Sequence, residues 1–207
     1  MKGFDVEKTA LNQRTIIMIG PGEHYVTAKN EVIKTLLGSC VAVCLFDPKA
    51  QVIGMNHFLL AADRRKLTHF LDSRAGYYGV HAMEILINAM LKLGAQRQNL
   101  QSKIFGGANV LSLCADNILN HYDIGGMNID FVRQFLQRER IPVISEDLGG
   151  HSGRIIYFDP SDYSVYRSLI ENKYEEIASL QDEEYRYFNQ ASEDMRASNN
   201  SVVIWSD

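Results

Sequence analysis

The stretch LLGSCVAVCLFDPKAQVIGMNHFLL, residues 36–60, carries the main signals for both the fold and the chemistry of this chain. Two apolar runs, 41–46 and 51–60, flank the segment Asp47-Pro48-Lys49-Ala50. Asp47 and Pro48 suit the first two positions of a type I turn, and Pro48 fixes its own φ. The pattern therefore predicts a β-hairpin whose first strand is buried on both faces.

The expected turn also sets which residues face each other across the hairpin. With a symmetric four-residue loop, Phe46 lies opposite Gln51, Cys44 opposite Ile53 and Cys40 opposite His57. Directly opposite residues share a face, with Cβ atoms about 4.5–5.5 Å apart. We therefore expect Cys40 and His57 to lie within hydrogen-bonding reach.

A cysteine beside a histidine has two interpretations. An adjacent imidazole converts a thiol into a thiolate–imidazolium pair, which is a nucleophile, and the Gly38-Ser39 turn would expose the backbone N–H of Cys40 to an oxyanion. Alternatively, both side chains are simply packed, because cysteine is among the most buried residue types. Cys44 and Cys114 lie in apolar runs and are predicted core residues.

Composition places the chain among soluble globular proteins. Of its 207 residues 46% are hydrophobic and 22% charged, and the net charge of −4 excludes a global basic field for nucleic acid. There is no apolar run of the length that a membrane helix needs and no secretory signal pattern. Three cysteines without metal-ligand spacing indicate free thiols in a reducing compartment, so we expect a cytoplasmic protein without a metal site.

Short strands and two amphipathic helices alternate irregularly along the rest of the chain. The helices are predicted over 78–93 and 124–140, with Asn128 as a cap of the second. This order favours a single-domain α+β fold, a sandwich of mixed β-sheet packed with helices. Further strands are predicted over 15–19, 31–37, 102–105, 142–146 and 154–158.

The charge is distributed unevenly between the body and the C-terminal part. Residues 1–166 hold 17 Lys and Arg against 16 Asp and Glu, whereas residues 167–207 hold 4 against 9. We therefore divide the chain into a body, 1–166, and an acidic, helical extension, 167–207.

Several motifs of the body, in order, resemble the CheD family, the chemoreceptor glutamine deamidases. The segment 37–44, LGSCVAVC, resembles the family's cysteine signature, and GMNHF, 54–58, its histidine strand. KIFGGAN at 103–109 and DLGG at 147–150 resemble its glycine-pair segments. The resemblance covers about residues 15–166 and implies a cysteine-hydrolase-like fold.

The resemblance implies roles for three residues and a partner. Cys40 would be the nucleophile that hydrolyses protein glutamine side chains through a thioester, and His57 the base and then the acid. The family orients this histidine with a threonine that stands six residues before the cysteine where the turn reads Gly-Leu-Gly-Ser-Cys. Lys34 holds that position here, and the shorter turn of this chain assigns the role to Thr35.

The resemblance names the substrates as methyl-accepting chemotaxis receptors. It leaves a second function open, a non-catalytic protein that binds receptors or a CheC-type phosphatase.

Overall fold

The computed structural model describes residues 14–60, 74–109 and 124–170, together with six residues of the C-terminal part: 182, 186, 187, 189, 190 and 193. Cys114 and most of the extension lie outside the described residues. The elements in chain order are β1 Thr15–Met18, β2 His24–Thr27, β3 Glu31–Leu37, β4 Val41–Asp47, β5 Val52–Phe58, α1 Arg74–Lys92, a 3-10 turn Arg97–Asn99, β6 Gln101–Gly106, α2 Ile124–Arg138, β7 Val143–Leu148, β8 Arg154–Phe158 and β9 Val165–Leu169.

The strands form two mixed sheets that pack face to face. One has the order β1-β3-β8-β9 and the other β2-β5-β4-β6-β7. The pairs β1–β3 and β6–β7 are parallel, and the other pairs are antiparallel. The mixed-sheet α+β prediction is confirmed.

Two hydrophobic clusters correspond to the two faces of the five-stranded sheet. Its inner face packs on the four-stranded sheet, and its outer face is covered by the helices. The inner cluster includes Ile33, Cys40, Cys44, Met55 and Phe158. The outer cluster includes Val43, Met83, Leu86, Phe131 and Phe135. Both faces of β4 are thereby buried, as its continuous apolar sequence predicts.

The central hairpin forms, but its predicted register is wrong: each residue of β4 pairs with a residue of β5 two positions further along the chain than we expected. Asp47 pairs with Val52, so the loop comprises residues 48–51, and Ala42 rather than Cys40 lies opposite His57. The Asp47 carboxylate accepts hydrogen bonds from the N–H groups of Lys49 and Ala50, and the left-handed φ of 55° at Gln51 closes the loop. The displacement equals two residues, so Cys40 and His57 still share a face.

Both predicted helices are present with shifted ends. The first begins four residues earlier, at Arg74, and Gly94 with φ 98° follows its end. The second ends at Arg138, shortly before Arg140 with φ 56°. No helix in the described ranges is both long and apolar enough to cross a membrane.

Two edge strands were not predicted. The strands β2 and β9 are short, partly exposed and lack a strong apolar alternation. β9 contains residues on both sides of the expected boundary at 166, and the described residues of the extension from 182 onward are helical.

Candidate active site

His57 lies on β5 with its side chain directed between the two sheets. It is 2% exposed, and its Nδ1 lies 2.8 Å from the hydroxyl of Thr35 on β3. β5 belongs to the five-stranded sheet and β3 to the four-stranded sheet. The packing of one sheet on the other therefore creates the Thr35–His57 contact that the resemblance predicts.

The hydrogen bonds of Thr35 determine the tautomer of His57. A hydroxyl has one proton to donate, and Thr35 directs it to the carbonyl of Ile19 at 2.8 Å. The Thr35 oxygen must then accept the second bond, so His57 carries its proton on Nδ1. The lone pair of the neutral ring is on Nε2.

The Nε2 atom is buried and has no hydrogen-bond partner among the described residues. Burial also lowers the pKa of His57 to about 3, because the charged ring is poorly solvated between the sheets. The ring is therefore a neutral base with an unoccupied lone pair. The thiolate–imidazolium pair expected from the sequence is disfavoured in this state.

Cys40 follows the turn between β3 and β4 and is fully buried on the inner face of the five-stranded sheet. Cys40 lies just beyond the last pair of the β4–β5 ladder, Val41 with Phe58. It belongs to the inner cluster, on the face toward which the His57 side chain is directed. Both side chains thus belong to one buried corner.

Cys44 is on the same face but lies deeper in the core. Its sulfur is 3.5 Å from the sulfur of Met55, and burial strongly raises the pKa of its thiol. Cys40 and Cys44 both carry free thiols rather than a disulfide. The environment of Cys44 favours the uncharged, unreactive form.

The glycine pair at 106–107 packs against the main chain of Cys40. Gly107 donates to the Cys40 carbonyl at 2.7 Å, and Ala108 donates to the Gly38 carbonyl at 2.7 Å. Gly106 has φ 111°, and a Cβ there would overlap the Cys40 carbonyl oxygen. The close approach requires glycine at this position.

A buried arginine holds the second glycine pair in place. Arg154 donates to the Asp147 carboxylate at 2.7 Å and to the Gly149 carbonyl, and its Nε has no partner among the described residues. Gly149 in turn donates to the Gly106 carbonyl at 2.9 Å. The two glycine segments and Arg154 therefore support the turn that carries Cys40.

Asn128 connects the cysteine turn to the histidine strand, a role that the sequence did not reveal. It lies inside α2 and is fully buried, so it is not the helix cap that we predicted. Its amide donates to the Ser39 carbonyl at 2.8 Å, and its carbonyl accepts from the Leu60 N–H at 2.9 Å. One side chain thus links the residue before Cys40 to the end of the His57 strand.

A cavity of about 150 Å³ lies beside His57 and the residues that end β5. Its floor is the loop before β2, which is hydrogen-bonded to the main chain of His57. The Gly22 N–H donates to the His57 carbonyl at 2.7 Å, and the main-chain N–H of His57 donates to the Glu23 carbonyl at 2.9 Å. Its walls include Tyr78, Ala82 and Ile85 of α1, together with Tyr187 of the extension. Residues 14–60, 74–109 and 124–170 contain no cluster of ligands suited to a metal ion.

Comparisons with known proteins give one family. The sequence model described as CheD chemotactic sensory transduction matches residues 60–168, a span that begins after His57. A Shewanella oneidensis protein named probable chemoreceptor glutamine deamidase CheD 2 is 88% identical, over 98% of this chain and 100% of its own length. A Geobacter sulfurreducens protein named probable chemoreceptor glutamine deamidase CheD 1 is 52% identical, over 75% of this chain and 78% of its own. The solved structure of the Bacillus licheniformis hypothetical protein YfiH aligns with a TM-score of 0.41 and 14% identity, over 70% of this chain and 67% of that one.

Proposed function

Because this chain belongs to the CheD family, we propose that it deamidates glutamine side chains of chemotaxis receptors, with Cys40 as nucleophile, His57 as base and acid, and Thr35 as the residue that orients His57. The observation that carries the proposal is the state of the imidazole. Its Nδ1 proton is held by Thr35, and its Nε2 lone pair is buried and unpartnered beside the corner that contains Cys40. A neutral imidazole in this state can take the proton of the Cys40 thiol as the sulfur attacks the glutamine carboxamide.

The reaction begins as the Cys40 sulfur attacks the carboxamide carbon of a glutamine. The thiol proton passes to Nε2 of His57, and the amide oxygen takes the negative charge of the tetrahedral intermediate. The intermediate collapses, the C–N bond breaks, and the Nε2 proton leaves with the nitrogen as ammonia. Cys40 is left as a thioester, and His57 is again neutral.

Water completes the cycle through the same groups. His57 takes a proton from the water as its oxygen attacks the thioester carbon, and the proton returns to the departing sulfur. The products are glutamate and free Cys40, so neither a redox step nor a cofactor is required. Thr35 accepts from Nδ1–H throughout, which keeps the ring in one orientation as it gains and loses the other proton.

The low pKa of His57 favours one of two forms of this chemistry. A ring with a pKa of about 3 does not hold a proton near neutral pH, which supports a neutral imidazole as the resting form. Proton transfer then accompanies the attack on the amide, and the imidazolium exists only while the negative intermediate is beside it. In this order of events, the Cys40 sulfur loses its proton only in molecules that have bound substrate.

The test compares two cysteines of the inner cluster, one in the turn before β4 and one within β4. Wild type, Cys40→Ala and Cys44→Ala are incubated with a receptor cytoplasmic fragment, and glutamine-to-glutamate conversion is followed by mass spectrometry. We expect Cys40→Ala to lose conversion and Cys44→Ala to retain it with a stability loss of about 1 kcal/mol. Full activity of Cys40→Ala would contradict the proposal.

The same variants address the interaction function and the partner. A protein that only binds receptors or a CheC-type phosphatase would show no conversion in the wild type and unchanged binding in Cys40→Ala.

The free thiols at Cys40 and Cys44 agree with a cytoplasmic location, because reduced cysteines persist in a reducing compartment.

A further inference from the structure

Tyr187 of the C-terminal extension packs onto the main chain beside His57. A Cβ added to Gly22 would overlap the Tyr187 ring and would lie 2.8 Å from its hydroxyl oxygen. Gly22 is the residue whose N–H donates to the His57 carbonyl. The ring therefore lies against the backbone that holds the histidine, at the edge of the five-stranded sheet.

The same ring forms one wall of the cavity that reaches His57. The opposite wall is α1, which contributes Tyr78, Ala82 and Ile85. Cavities of about 150 Å³ admit a group the size of benzene, so the space accepts one side chain of a polypeptide. Tyr187 thus stands where an incoming chain would approach the histidine.

Tyr187 reaches this wall from a helical part of the extension. Tyr187 is partly buried and packs on the inner cluster, whereas Asp182, Arg186, Gln190 and Glu193 are exposed. These five residues and Asn189, which is also partly buried, are helical, and Tyr187 is the one among them that lines the cavity.

Tyr187 is also distinct from the residues of the proposed chemistry. The family match ends at residue 168, before Tyr187. The chemistry proposed above uses Cys40, His57 and Thr35, all of which precede residue 60. Tyr187 therefore lines the cavity beside His57 without supplying a group to the proposed chemistry.

We propose that the surface formed by Gly22, Glu23 and the Tyr78–Ile85 face of α1 is where the substrate polypeptide docks, and that Tyr187 occupies it in the free protein and competes with substrate. This inference rests on the proposed deamidase function. The occupant is a polypeptide because a helical segment of this chain already fits the surface. The C-terminal segment then sets the apparent affinity for substrate and leaves the chemical step unchanged.

The experiment uses full-length protein with a matched set of variants. Tyr187→Ala removes the ring, Tyr187→Phe keeps it without the hydroxyl, and Gln190→Ala changes an exposed residue of the same segment. Rates of deamidation of a receptor cytoplasmic fragment are measured over a range of substrate concentrations. We expect Tyr187→Ala to lower KM about fivefold at unchanged kcat, which corresponds to Tyr187 being seated in about four-fifths of free molecules. Gln190→Ala should match the wild type, and the KM of Tyr187→Phe should stay closer to the wild-type value than that of Tyr187→Ala.

A peptide of residues 180–196 tests the same contact from outside. Added in excess to wild type it should raise KM, and the same peptide with Tyr187 replaced by alanine should not. This arm also decides the question if Tyr187→Ala does not fold. An unchanged or higher KM for folded Tyr187→Ala, or equal effects of the two peptides, would overturn the proposal.

Binding separates failure of this inference from failure of the deamidase function. The receptor fragment is titrated against Cys40→Ala and against Cys40→Ala with Tyr187→Ala. Tighter binding by the double variant supports the docking surface even if no protein in the set deamidates. Equal binding refutes the docking surface even if the wild type is active.

Discussion

Replacing Asn128 by alanine should weaken both the fold and the site, and the loss can be worked out from two hydrogen bonds. The Ser39 carbonyl and the Leu60 N–H are both bonded to this one side chain in a fully buried position. Without it, each main-chain group is left in the core unpaired, at a cost of about 1–3 kcal/mol. We therefore expect Asn128→Ala to lower the free energy of unfolding by about 2–6 kcal/mol.

The substitution Asn128→Asp separates the two hydrogen bonds, because it keeps the bond to Leu60 and removes the bond to Ser39. The aspartate still accepts from the Leu60 N–H, but it turns an oxygen toward the Ser39 carbonyl, which is also an acceptor. The stability loss should therefore come from the cysteine turn, and kcat should fall because Cys40 follows Ser39. Gln134→Ala, at an exposed position on the same helix, is the control.

Urea unfolding followed by circular dichroism measures the stability change, and deamidation of a receptor fragment measures the activity. Unchanged slopes of the unfolding curves would show that the variants alter stability and not compactness. The reasoning would be refuted if Asn128→Ala lost less than about 0.5 kcal/mol, the range of an ordinary surface substitution.

Three further predictions follow from the site. Thr35→Val removes the acceptor of the Nδ1 proton, so kcat should fall about 100-fold while Thr35→Ser retains most activity; similar kcat values for the two would exclude an orienting role. His57 has a folded pKa of about 3 against an ordinary 6.5, so the unfolded chain binds the extra proton between these values. Stability should therefore fall with decreasing pH by up to about 1.4 kcal/mol per unit, and urea unfolding of His57→Gln between about pH 4.5 and 6.5 should lack this dependence. Gly106→Ala should cost about 2–4 kcal/mol, because overlap with the Cys40 carbonyl adds to the backbone strain. Gly94→Ala, with a similar φ of 98° and open space around it, should cost only about 1 kcal/mol; equal losses in urea unfolding would contradict the overlap.

The hairpin shows what local sequence predicts and where it stops. The apolar runs and Pro48 correctly indicated two strands and a four-residue loop. The loop position depended on Asp47, whose side chain bonds forward to Lys49 and Ala50 and lets the strand pairing begin at Asp47 itself. The face of each side chain was predicted correctly because parity survives a displacement of two residues.

The supporting residues of the site were less accessible to prediction. Thr35 was found through the resemblance, and its contact with His57 arises only when two separate sheets pack together. Asn128 gave no signal of its role, because its partners lie 68 and 89 residues away in the sequence. A buried asparagine in the middle of an amphipathic helix is the only local sign of such a role.

The long spans that Asn128 bridges also bear on how an active molecule comes into existence. Loops of 68 and 89 residues must close before the cysteine turn and the histidine strand are tied together. Such contacts have high contact order and form late in folding, after local helices and hairpins. If Cys40 acts as proposed, its activation by His57 waits for this step. In a refolding experiment, the return of deamidation should accordingly lag behind the return of helical signal.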